Sequence, residues 1–147
     1  MTSPRVTILA NPYARRARHF NPGVALSYLE SHGYQAHYET PLGVEELAKS
    51  AKKSADRGDE ILFVFGGDGT LRIAAGALSG SQTAFAALAG GTTNVWVREM
   101  HIPFDPHKAI ETHLNGQRTK IDLGRANGEP FILMAGIGWD AEIASHV

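Results

Sequence analysis

Residues 60–70 read EILFVFGGDGT, an apolar run that closes on three glycines, an aspartate and a threonine. A continuous apolar stretch of this length suits a strand buried on both faces of a parallel sheet. The residues after it, Thr70 to Leu78, carry a helical pattern. The segment is therefore a strand, a glycine loop and a helix. Glycines let a ligand approach the main chain closely, and a helix start offers unpaired N–H groups to an anion. In an open α/β sheet, ligands sit beyond the carboxyl ends of the strands. The loop is thus placed to receive phosphates. Asp68 would repel a phosphate directly, so it is expected to work through a metal ion, a water or a ribose hydroxyl. No Lys-Ser or Lys-Thr follows the glycines, which excludes a Walker loop. The dinucleotide fingerprint is also missing after the first strand.

Strand and helix alternate on either side of this segment. Arg5 to Ala10 is a short β-branched run closed by Asn11-Pro12, and Tyr34 to Glu39 makes a second strand. Helical spacing covers Val24 to Ser31 and Val44 to Arg57, each ended by a glycine. Thr83 to Leu88 is a fourth strand, followed by a second glycine turn, Gly90-Gly91-Thr92-Thr93-Asn94. Short helices over Val95 to Met100 and Pro106 to Asn115 complete the pattern. Such alternation predicts a three-layer αβα domain with a mainly parallel sheet, spanning residues 1–117. After Gly116 the character changes. Thr119 to Arg125 and Phe131 to Ile137 read as two strands around Asn127-Gly128, a hairpin signal. Residues 118–147 are read as the opening strands of an incomplete β-rich second domain.

Composition narrows the chemistry. The chain has 147 residues, 43% of them hydrophobic and 20% charged, with a net charge of −1 and no cysteine. The absence of cysteine excludes disulfides, thiolate metal sites and cysteine nucleophiles, and fits a reducing cytoplasm. A near-neutral chain gives no electrostatic reason to bind nucleic acid. The apolar runs are strand-length, so any membrane contact is expected to be peripheral, at the inner membrane face.

The motifs together resemble a family. Gly66-Gly67-Asp68-Gly69-Thr70 looks like the signature of the diacylglycerol kinase catalytic domain, whose superfamily also holds sphingosine kinases, NAD kinases and phosphofructokinases. Gly91-Thr92-Thr93-Asn94 resembles that family's Gly-Thr-x-Asn loop, which points to the lipid kinase branch, and Asn11-Pro12 resembles its Asn-Pro turn. Ile121 to Gly124 and Ala135 to Ala141 resemble the entry into its β-rich acceptor domain. The resemblance implies an ATP-dependent lipid kinase using Mg²⁺, with a lipid hydroxyl as acceptor. It implies nucleotide contacts from Gly66, Gly67, Asp68, Gly69, Thr70, Thr92 and Asn94, with Asn11 and Thr40 closing over the ligand and Asp68 in the catalytic role. It also implies that family members continue for about as long again, with the acceptor pocket in the second domain. Three stretches depart from the family pattern: Arg72-Ile73 replace Asn-Glu, Tyr13-Ala14-Arg15 replace Ser-Gly or Ala-Gly, and Ala89-Gly90 replace Pro-Leu.

Other features compete for attention. Arg15, Arg16 and Arg18 form a basic cluster beside the first turn, suited to a phosphate or to a solvated loop. His101, His107 and His113 are evenly spaced, but Pro103 and Pro106 break a helix through all three, so no metal site is assigned. Trp96 is expected to pack in the core, and Trp139 against second-domain strands. Asp122 and Asp140 read as turn carboxylates. Two further functional readings are a NAD kinase-like enzyme and a truncated, inactive nucleotide-binding or assembly module. Unfinished strands at 119–137 would leave exposed sheet edges, which predicts self-association into a homo-oligomer.

Overall fold

A computed structural model describes residues 2–145. Four strands, β1 (Arg5–Ala10), β2 (Gln35–Glu39), β3 (Ile61–Gly66) and β4 (Ala84–Ala89), form one sheet in the order β2-β1-β3-β4. Every pairing is parallel, with Val6 opposite Ile61 and Ile61 opposite Ala84. The apolar run at 61–66 is continuous because both faces of β3 are covered. Ile61, Phe63 and Phe65 enter one core with Ala25 and Leu29 of α1 (Pro22–Ser31) and Ala109 and Ile110 of α5 (Pro106–Asn115). Leu62 and Val64 enter the other core. There they meet Leu47 and Ala51 of α2 (Val44–Asp56), Leu71 and Ala74 of α3 (Asp68–Leu78) and Val97 of α4 (Val95–Glu99). The three layers, the parallel sheet and the helical cover match the sequence reading.

The order 2-1-3-4 has a functional consequence. The chain leaves β1 toward the α1 face and leaves β3 toward the α3 face. The two connections diverge at the carboxyl end of the sheet, between adjacent strands. That is the topological switch point where open α/β sheets hold ligands.

Two polar devices tie the layers together. Asp59 is 2% exposed and accepts hydrogen bonds from Thr7 Oγ1 at 2.7 Å, Ser54 Oγ at 2.7 Å and Arg57 Nη2 at 2.6 Å. Burial pushes its carboxyl up, but the bonds from Arg57, Ser54 and Thr7 outweigh it and leave the group below its ordinary value. On the other face, His113 Nε2 lies 2.9 Å from the Ala87 carbonyl, so the neutral ring donates there and α5 covers the outer edge of β4. Burial holds His113 below the usual histidine range, against the smaller opposing effect of that bond.

The structure corrects several boundaries. Helix α1 begins at Pro22, because Asn21 caps it by accepting from Val24 N–H and proline is preset for the first turn. Helix α3 begins at Asp68 rather than Thr70, so the signature loop is partly the helix's own first turn. The two expected strands at 119–137 shrink to β5 (Gly124–Ala126) and β6 (Glu129–Phe131). The Asn127-Gly128 turn is present, with both residues at positive φ. Ile121 before the hairpin and Met134 and Ile137 after it are exposed, so nothing apolar covers the ribbon's outer ends, while Pro130 and Ile132 in its middle pack on α3 and its core. At three residues each, these strands offer shorter edges than the reading of 119–137 assumed. Trp139, expected to pack on strands, is 84% exposed at the start of α6 (Trp139–Ser145). The Asp140 side chain lies outside the described residues, and Asp122 is exposed.

Candidate functional site

The two glycine loops follow neighbouring strands and touch through their backbones. A Cβ placed on Gly90 would lie 2.7 Å from Gly66 Cα, and one on Gly91 would lie 2.6 Å from Gly67 Cα. Gly90 N–H donates to the Gly66 carbonyl at 2.9 Å. Glycine is required at 90 and 91 because one main chain lies on the other. At Gly66 the Thr70 side chain fills the space, with its Cβ 2.5 Å from where a Gly66 Cβ would stand. Gly69 differs, since nothing lies within 4 Å of the Cβ it lacks. The open side of the signature loop is therefore the first turn of α3.

Asp68 spans the two loops. Its Oδ2 accepts from Val95 N–H at 2.9 Å and its Oδ1 from Trp96 N–H at 3.0 Å. It thus caps α4 from 27 residues away. Asn94 completes the second loop. It sits in the left-handed region, is 1% exposed, accepts from Gly91 N–H at 2.9 Å and donates to the Gly91 carbonyl at 2.8 Å. Sequence reasoning assigned Asp68 and Asn94 to a ligand, whereas these contacts spend much of their hydrogen-bonding capacity on the loops. Each Asp68 oxygen still keeps a second acceptor position. No motif at the expected spacing announces the Asp68 bonds, because a cap so distant in sequence depends on how β3 and β4 lie side by side.

The first-strand turn completes the carboxyl-end surface. Asn11 N–H donates to the Phe65 carbonyl at 2.9 Å, and Asn11 Nδ2 points at Thr70 Oγ1 at 3.5 Å. Asn11 and Thr70 are thus brought together. Thr40 is exposed just past β2, and Thr92 is exposed on the second loop. A cleft of ≈ 200 Å³ opens beside Asn11 and Thr70, lined also by Tyr13, Pro41, Leu42, Gly43, Val44, Leu47 and Ile73. A wider depression of ≈ 630 Å³, walled by Glu30, Tyr34 and His37 among others, lies at the opposite end of the sheet, away from both glycine loops.

Of the arginine cluster, Arg16 turns inward. Its backbone N–H donates to the Gly90 carbonyl at 3.0 Å, and its guanidinium carbon stands 5.5 Å from the Phe104 ring centre. Arg98 lies over the same ring at 4.8 Å and donates from Nε to the Thr93 carbonyl at 2.8 Å. Sequence reasoning missed both roles. Arg15 and Arg18 remain exposed. Arg72, one of the departures from the family pattern, holds the β5–β6 hairpin: its Nη1 donates to the Pro130 carbonyl at 3.1 Å and lies 3.4 Å from Glu129 Oε2. Pro130 sits against Gly76, where a Cβ would come within 2.5 Å of the ring. His101, His107 and His113 have separate partners: His107 stacks on Phe20, His101 lies against the Arg98 carbonyl and His113 against that of Ala87. Among the described residues no three His, Asp or Glu side chains are grouped to hold a metal. Trp96 packs partly buried against the core, as expected.

A parallel sheet with a switch point and a glycine-lined helix start at its carboxyl end define the class as an open α/β domain. Residues 5–126 match the family model described as the diacylglycerol kinase catalytic domain, and the chain belongs to that family. It is 31% identical over 148 residues to a diacylglycerol kinase of Bacillus subtilis (strain 168), covering 97% of this chain and 48% of that protein. It is 27% identical over 138 residues to a diacylglycerol kinase of Staphylococcus saprophyticus, covering 91% of this chain and 45% of the relative. The solved structure of a diacylglycerol kinase from Bacillus anthracis str. Sterne superposes with a TM-score of 0.73 at 21% identity, over 89% of this chain and 46% of that one. That likeness shows the fold. The chain spans about half the length of the curated relatives it matches.

Proposed function

We propose that this chain is the nucleotide-binding half of an ATP-dependent lipid kinase, in which the ATP γ-phosphoryl group passes to a lipid hydroxyl. The observation that carries the reading is the open first turn of α3 at Gly69, facing the switch point beside Asn11. Phosphate oxygens placed there meet the N–H groups of Asp68, Gly69 and Thr70, which have no acceptor within the helix. The adjoining cleft takes the base. Family membership and the diacylglycerol kinase names of the relatives supply the acceptor class. Asp68 is the carboxylate at this site. It fits Mg²⁺ through a bridging water, because its oxygens already hold α4 and Mg²⁺ sites keep several waters beside the substrate phosphates. A bound Mg²⁺ would neutralise phosphate charge, and Asp68 would orient its water shell.

Among the described residues no helix is long and apolar enough to cross a membrane, so the lipid would be met at a membrane surface. Binding of ATP and ADP, with and without Mg²⁺, tests the site. Saturable binding is expected, reduced at least about tenfold in Gly67→Val, whose new side chain meets Gly91 Cα at 3.4 Å. Saturable binding untouched by both Gly67→Val and Asp68→Ala would sink the assignment. Transfer of label from ATP to diacylglycerol by a full-length protein carrying this half tests the reaction; phosphorylation of NAD and of no lipid would overturn it.

A further inference from the structure

The two edges of the parallel sheet are finished differently. At the β4 edge, the outward carbonyl of Ala87 meets His113 Nε2 of α5 at 2.9 Å. At the other edge, β2 has β1 as its one strand neighbour. Gln35 N–H donates inward to the Pro4 carbonyl at 2.8 Å, and the register continues with His37 opposite Thr7 and Glu39 opposite Leu9. Main-chain groups alternate in direction along a strand. Gln35, His37 and Glu39 therefore bond to β1, and the N–H and C=O groups of Ala36 and Tyr38 face outward. Among the described residues nothing bonds to these outward groups. Natural sheets blunt such an edge with lysine, proline or a bulge. The strand Gln35–Glu39, QAHYE, has no lysine or proline, and its register with β1 runs without a break. A depression of ≈ 630 Å³ opens along the same edge, with Gln35, Ala36 and His37 in its wall. The Nε2 of His37 is buried without a partner.

We propose that β2 pairs antiparallel with β2 of a second copy of this chain, about a twofold axis at His37, so that the two sheets become one. A twofold contact requires a surface complementary to itself. In this register Ala36 lies opposite the partner's Tyr38, and the outward groups of each such pair exchange two main-chain hydrogen bonds. Both side chains belong to the face that packs on the α1 core, so a small residue meets a large one. On the other face Gln35 lies opposite the partner's Glu39. An amide donor there meets a carboxylate whose own chain offers it Arg57 at 3.8 Å. The two His37 rings meet at the axis, with Cα atoms about 4.5 Å apart, which gives the orphaned Nε2 a polar neighbour. Neighbouring registers fit less well. Sliding the partner one way calls on Tyr34 N–H, which already donates to the Leu29 carbonyl at 3.2 Å. Sliding it the other way sets Ala36 opposite the partner's Thr40, past the end of the strand. The pairing uses neither glycine loop, so it stands apart from the nucleotide reading.

The test is sedimentation equilibrium of the 147-residue chain over a range of concentrations. A monomer–dimer equilibrium and nothing larger is expected, because a twofold pairing closes on itself. Ala36→Pro removes an outward N–H and spares the β1 ladder, so it should give a monomer with the far-UV circular dichroism of the wild type. Gln35 is exposed, so its variants read the register without disturbing the fold. Gln35→Lys faces the partner's Glu39 with the opposite charge and should tighten the dimer. Gln35→Glu faces it with the same charge and should loosen the dimer, each change being up to about tenfold. A monomer at every concentration, growth beyond the dimer, or a dimer indifferent to Ala36→Pro would overturn the proposal. Effects of the same sign from Gln35→Lys and Gln35→Glu would overturn it too, since opposite signs follow from the partner's Glu39 across the axis. If Ala36→Pro does not fold, the two Gln35 variants decide the matter by themselves.

Discussion

The two glycine loops look alike in sequence and do different work. Gly66 to Thr70 ends in the 11-residue helix α3, with open space beside Gly69. Gly90 to Asn94 ends in the five-residue helix α4, whose first N–H groups are already taken by Asp68. Asn94 closes the second loop on itself through Gly91. One loop leaves the first N–H groups of its helix without a side-chain cap, while the other is tied to the first through Asp68 and the Gly66 carbonyl. Glycine content alone therefore does not identify a phosphate site. What distinguishes the two is whether the helix start is already satisfied.

This division can be broken at its joints. Gly90→Val drives a branched side chain into Gly66 and should cost about 3 kcal/mol of stability while abolishing nucleotide binding; urea denaturation and titration check both. Asp68→Ala strips two N–H groups of α4 of a charged acceptor and should cost about 2 kcal/mol, with amide exchange at Val95 and Trp96 rising together. Unchanged exchange at those amides would show that Asp68 does not brace the second loop. Asn94→Ala gives up two bonds and a left-handed backbone position, an expected loss of about 1–2 kcal/mol. Gly69→Ala sharpens the contrast from the other side. It meets no neighbour, so stability should shift by less than about 0.5 kcal/mol while ATP affinity falls.

The smallest expected effect is on pH. His113 and Asp59 both titrate below their unfolded values, so each stabilises the fold fully above its unfolded value and loses that contribution as pH falls through the folded one. For His113 the loss begins near pH ~6.5, and for Asp59 near ~3.9. Urea midpoints of the wild type should therefore decline between pH 7 and 5, and His113→Gln should flatten that decline.

Much of the fold was legible in the sequence. The run at 61–66 announced a strand buried on both faces, and Pro106 to Asn115 was bounded by its own proline and glycine. The placement of the candidate residues was legible too, since the signature glycines follow that strand and Asn11 follows its neighbour. The division of labour was not. Asp68 reaches α4 and Arg72 reaches Pro130 only after the sheet and hairpin are assembled, and neither contact leaves a local spacing to read. The strands at 119–137 were over-read, because alternating apolar residues extend a ribbon only where something covers them.

The most direct measurement is a backbone amide NMR titration of the chain with ATP. Large shifts are predicted at Gly67, Gly69, Thr70 and Asn11, with smaller ones along Gly91 to Asn94. The largest shifts at Val95 and Trp96, or none at Gly69 and Thr70 under saturation, would contradict the claim that the open start of α3 holds the phosphates.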